Sequence, residues 1–124
     1  MSAGLFLLAM LGGGVGAVAR FVIDGLIMRH VRSGFPWGTF VINTTGSLIL
    51  GFLTGLAAGS ADAPWLFVLG GGVLGGYTTF STAMVDTVHM IHARTWGRSL
   101  VNSVGMIIVT VVAATLGLLL GRLV

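Results

Sequence analysis

Residues 75–82 read Gly-Gly-Tyr-Thr-Thr-Phe-Ser-Thr, inside a run with no charge from Ala63 to Val85. A run of that length can cross a bilayer, whose hydrocarbon core takes about 20 residues of helix. Yet two glycines followed by hydroxyl residues interrupt a helix. In hydrocarbon a broken helix is tolerated only where its freed backbone groups are buried in protein or line a polar cavity. The stretch therefore predicts a helix broken at mid-membrane, ringed by hydroxyls and one aromatic, and points to a permeation pathway or an ion site.

Composition agrees. Of 124 residues, 56% are hydrophobic and 7% charged, with mean hydropathy +1.07. A soluble domain carries roughly 25% charged residues, so this chain reads as an all-α integral membrane protein with one transmembrane domain over residues 1–124. Its 21 glycines far exceed the usual share of about 7% and let helices approach closely. Cysteine is absent, which excludes disulfides and thiolate metal sites. The basic balance is six arginines against three aspartates, without lysine or glutamate. Those arginines flank apolar segments, so topology explains them better than nucleic acid does. Ala17-Val18-Ala19 resembles a signal-cleavage site, but no basic residue precedes the apolar run and glycines fill its end, so it reads as a retained span.

Charge-free runs near residues 1–19, 33–61, 63–85 and 99–121 place four helices at about 4–27, 37–59, 64–91 and 98–121, the third broken near its middle. Four spans put both termini on one face. The first and third connections carry Arg29, Arg32, Arg94 and Arg98, whereas the termini and second connection carry only Arg122. The positive-inside rule then places both termini outside the cytoplasm. In the second helix Thr39, Asn43, Ser47, Gly51, Gly55 and Gly59 recur every four residues; the glycine half suits packing and the polar half offers donors at membrane depth. Ser99, Asn102, Ser103, Thr110, Gly117 and Gly121 form a looser version in the fourth. Four thin helices make a small core, so oligomerisation is expected.

Several side chains are candidates. The Asn43 amide is an anion donor or an interhelical hydrogen bond. Arg20, with Asp24 one turn later, either sets a positive potential at a pore mouth or is a structural, snorkelling pair. Phe80 can present its electropositive rim to a small anion or simply pack. Thr78, Thr79, Ser81 and Thr82 supply hydroxyl donors, and freed carbonyls there can hold a hard cation. Asp86 shapes a vestibule or sits at an ordinary interface. His30, His89 and His92 lack metal-ligand geometry, no catalytic constellation appears, and Trp37, Trp65 and Trp96 read as interface anchors. Gly14–Ala19 matches a loose dinucleotide fingerprint, without the strand that fingerprint needs.

Gly12-Gly13-Gly14-Val15-Gly16-Ala17-Val18-Ala19-Arg20-Phe21, Gly38-Thr39-Phe40-Val41-Ile42-Asn43-Thr44-Thr45-Gly46-Ser47 and Gly75–Thr82 together resemble, in order and spacing, the three signatures of the Fluc (CrcB) fluoride-channel family. The resemblance covers the whole chain. It implies an antiparallel dimer of four-helix subunits with two fluoride pores. It also implies a structural sodium ion at the dimer centre, held by the carbonyls of Gly75 and Thr78. Asn43 would be the pore amide, Phe80 the first aromatic of the fluoride path, Thr39 a vestibule hydroxyl and Arg20 the signature arginine. Ser81, Thr82 and Thr110 would complete the polar path. Passive export of cytoplasmic fluoride, relieving its toxicity, is the implied function, and none of it is enzymatic.

Three positions depart from the pattern. Ala83 stands where a second Phe is usual, Asn102 where a fourth-helix Tyr is common, and Met106 where a polar residue follows; only Thr110 keeps that track. An antiparallel homodimer needs one sequence inserted both ways, whereas the arginine bias favours a single orientation. The chain is therefore expected to pair with an oppositely oriented paralogue. The alternatives are a non-conducting partner subunit and a small multidrug exporter; the exporter mechanism relies on a membrane glutamate, which this chain lacks.

Overall fold

The computed structural model describes residues 1–60 and 62–124, and every described element is helical. Helix α1 spans Ala3–Met28, and Ser2 caps it by accepting the Leu5 N–H on its Oγ at 3.2 Å. Helix α2 spans Trp37–Leu56. It stops short of residue 59, where the sequence placed its end: Gly59 sits at φ 96°, a left-handed turn that glycine adopts without Cβ strain. Helix α3 covers residues 64–77, begins on Pro64 and is wound with i→i+5 bonds over Phe67–Leu74. Proline suits a first turn because its missing N–H has no helical partner there. Helix α4 spans Phe80–His92. Helix α5 spans Trp96–Leu123, with a second wide stretch over Val101–Gly105.

Two glycine seams hold the bundle. Gly51 and Gly55 of α2 face the backbone of Ala114 and Leu118 on α5, while Gly117 and Gly121 answer against Leu48 and Phe52. Gly16 of α1 abuts Val73, and Gly72 and Gly76 of α3 abut Ala9 and Gly13. A methyl group at any of these positions would run into facing backbone. Without a hydrophobic drive between helices in lipid, such close approach is how they gain contact. The triple glycine of the first signature thus lies in or beside a packing surface for α3.

Three helices, Ala3–Met28, Trp37–Leu56 and Trp96–Leu123, are long and apolar enough to cross a membrane, with window hydropathies of 2.0, 1.4 and 2.4. Much of their outer surface is apolar and exposed, including Phe6, Leu11, Ile107 and Leu119. This is a membrane protein's surface. Trp37 and Trp96 each open a helix and Trp65 lies in the first turn of α3, as expected for interface anchors. The first and third connections meet at one end, where the Arg98 guanidinium donates from Nη1 to the Ser33 carbonyl.

Candidate functional site

The break is two extended residues, Thr78 (φ −82°, ψ 158°) and Thr79 (φ −149°, ψ 122°). Thr78 ends α3, donating both its N–H and its Oγ1–H to Leu74 O at 2.9 Å. Thr79 starts α4, its Oγ1 accepting the Thr82 N–H at 3.2 Å, and its hydroxyl donates to Thr82 Oγ1 at 3.1 Å. Between these caps, α2 supplies the missing partner. Asn43 Nδ2 donates to Thr79 O at 2.8 Å, and Thr79 N–H donates to Asn43 Oδ1 at 2.8 Å. Both groups are buried. The carboxamide therefore stands in for a strand neighbour where the break leaves the Thr79 backbone without a helical partner.

This arrangement frees carbonyls. The Thr79 and Thr82 N–H groups, which would bond Gly75 O and Thr78 O in an unbroken helix, are taken by Asn43 Oδ1 and Thr79 Oγ1. Beside the break, Tyr77 Oη lies 3.0 Å from Thr45 Oγ1, which itself donates to Val41 O at 2.8 Å.

A cleft of about 290 Å³ opens along the break. Its walls are mostly apolar, and Asn43, Ser47, Thr78, Thr79, Ser103 and Thr110 supply the polar groups. Asn43 Nδ2 also points to Met106 Sδ at 3.2 Å. A thioether is a weak acceptor, so that N–H is only lightly engaged. Thr110 turns its hydroxyl proton to Met106 O at 2.7 Å.

The family model for CrcB-like protein, Camphor Resistance (CrcB), matches residues 7–118. The chain belongs to the CrcB family. It is 46% identical over 114 residues to "Fluoride-specific ion channel FluC 1" of Leifsonia xyli, covering 91% of this chain and 83% of that protein. It is 40% identical over 120 residues to "Fluoride-specific ion channel FluC" of Opitutus terrae, covering 91% and 89%. It is 39% identical over 119 residues to "Fluoride-specific ion channel FluC 2" of Nitrobacter hamburgensis, covering 94% and 96%.

In this CrcB chain the cleft gathers Asn43, Phe80, Thr110, Gly75 and Thr78. Thr39, Ser81 and Thr82 do not line it, nor do Arg20 and Asp86. Phe80 keeps 74% of its surface exposed, so its ring forms an outer edge of the cleft. Thr39 is buried beside Asp86, which has Asp24 and His89 nearby. The Arg20–Asp24 ion pair expected from their spacing does not form: the Asp24 carboxylate instead occupies the space left by the absent side chain of Gly38. Among the described residues no group of His, Asp or Glu could hold a metal ion.

Ala83 and Asn102 are packed inside, 1% and 0% exposed. Asn102 Nδ2 donates to Ala83 O at 3.0 Å and to Thr87 Oγ1 at 2.9 Å, and its Oδ1 has no partner. This amide braces α4 against α5. Sequence reasoning missed that brace, and missed Thr79 as the residue Asn43 grips. The available signal for the cap was Thr79 itself, a hydroxyl residue of the kind that caps helix N-termini, just before Phe80.

Proposed function

We propose that this chain is a subunit of a passive, fluoride-selective membrane channel. The observation that carries the proposal is the Asn43 grip on Thr79, which holds a helix open beside a polar-lined cleft in an otherwise apolar bundle. The relatives' names supply the ion. Fluoride is small and strongly hydrated, so a path must replace its water with weak, numerous donors that also let it leave. Asn43 offers the lightly engaged N–H now resting on Met106 Sδ. Phe80 supplies an exposed ring edge and Thr110 a hydroxyl that would turn from Met106 O to the ion, while Ser81 and Thr82 lie on the approach past the break and Thr39 in a vestibule beside Asp86. On this reading α3 and α4 together make a fourth crossing, and both termini face away from the cytoplasm of a plasma membrane.

A structural sodium ion fits the chemistry of the break. The carbonyls of Gly75 and Thr78 have lost their helical donors to Asn43 Oδ1 and Thr79 Oγ1, and hard cations take such oxygens. A bound sodium would neutralise carbonyl dipoles otherwise turned toward each other across an antiparallel dimer. One subunit supplies too few oxygens for the six or more that a hard cation of this kind commonly takes, and its cleft is open along Phe80, so a second subunit completes both.

The test is fluoride efflux from liposomes carrying this chain alone, read by electrode. Fluoride-selective efflux supports the channel. A second reading, a partner subunit that conducts only beside an oppositely oriented paralogue, is favoured by Asn102, which is buried against Ala83 and Thr87 and absent from the cleft lining, and by Ala83, which lines the cleft with a methyl only. Silence alone with efflux on co-reconstitution supports that reading; silence in both sinks the conduction proposal.

A further inference from the structure

A second cleft, of about 300 Å³, lies at the end of the bundle where the first and third connections meet. Its lining is Ser33, Phe35, Trp37, Gly97, Arg98 and Val101. One wall is a fixed aromatic cluster: the Phe35 and Trp37 rings are 4.8 Å apart and tilted by 57°, and Phe40 packs on both. Phe35 is buried, so this wall is preformed. The opposite wall is the first turns of α5, where Arg98 lies across the first connection. Its Nη1 donates to Ser33 O, one of the five N–H donors of a guanidinium. Gly34, at φ 79°, makes the turn that passes over it.

Three facts select an occupant. The helices flanking the cleft open on Trp37 and Trp96, residues that sit at headgroup level. The field is positive: Arg29, Arg32, Arg94 and Arg98 are exposed at this end, and neither connection contains a carboxylate. The walls are largely aromatic and aliphatic, which favours an amphipathic ligand over a hydrated inorganic anion. Basic pockets between membrane helices meet these conditions for anionic lipid headgroups.

We propose that this cleft binds an anionic phospholipid, its phosphate on Arg98 and Ser33 and its glycerol backbone and first methylenes against Phe35, Trp37 and Val101. The site stands apart from the break and does not depend on which ion the chain conducts.

The experiment uses the full chain with Trp65→Phe and Trp96→Phe, leaving Trp37 as the only indole. It is reconstituted in phosphatidylcholine vesicles with increasing fractions of brominated phosphatidylglycerol or brominated phosphatidylcholine, and quenching is read. Trp37 should prefer the anionic lipid by about fivefold, the effect of one interfacial arginine. Arg98→Gln should bring the two lipids to parity. Because that change also releases the first connection, Val101→Phe, which fills the cleft and keeps the guanidinium, should do the same. Equal quenching in the parent overturns the proposal, as does a preference that survives both variants. The same preference at a lone Trp65 would mean general enrichment and also overturns it. Loss of the preference in millimolar glycerol phosphate would assign the cleft to a soluble anion instead.

Discussion

Asn43 meets Thr79 through both faces of its carboxamide, and the two bonds carry different consequences. Asn43→Ala leaves a buried N–H and a buried C=O without partners, at about 1–3 kcal/mol each, and should lower the thermal midpoint in detergent as well as efflux. Asn43→Asp keeps the acceptor for the Thr79 N–H but loses the donor and puts a charge at membrane depth. It should destabilise no less, and its fluoride efflux should fall below that of an Asn43→Gln variant. Equal midpoints for the parent and Asn43→Ala would remove the grip as a structural element. At Thr79, Val replaces the capping hydroxyl by a methyl and should cost about 1 kcal/mol, whereas Ser keeps the cap. A chemical-denaturation series in which Val and Ser behave alike would refute the cap.

At the level of elements, the glycines decide. Gly16→Ala and Gly76→Ala each drive a methyl into backbone of the facing helix, so both should abolish a stable fold on size-exclusion chromatography. Gly4→Ala, which meets nothing within 4 Å, should be silent. If Gly16→Ala elutes and melts like the parent, the α1–α3 seam is not tight. The helices were legible in sequence because long charge-free runs ended on Arg, Pro and Asp. The break was legible because a glycine pair followed by a run of hydroxyls weakens a helix at that depth, although Gly76 itself serves the packing seam against Gly13. What stayed hidden was pairing. Nothing in the sequence shows that Asn43 would spend both faces on one residue thirty-six positions away, because the alternatives, a pore amide and an interhelical bond, look alike until the partner is located. Nor did the i,i+4 spacing of Arg20 and Asp24 reveal that Gly38 leaves a nearer berth for the carboxylate. The early stop of α2 turned on Gly59, which fits the four-residue stripe as well as it fits a turn.

For the whole molecule, the arginine asymmetry and the open cleft bear on the same question of partners. If the chain inserts in one orientation, a reporter fused to either terminus should show a single side in cells. Substituting Arg29, Arg32, Arg94 and Arg98 by Gln should mix the orientations and permit self-pairing. A mixed reporter in the parent would remove the need for a paralogue. The shortness of the two half-helices has a consequence for biogenesis. α4 has only 13 residues, and α3 covers residues 64–77, so each falls short of the roughly 20 needed to cross alone. Neither half can be handed to the bilayer as an independent passenger. During synthesis α2 emerges before either, so Asn43 is already at membrane depth when the kinked segment leaves the ribosome. The segment can then enter as one unit, its bend met by a partner on arrival.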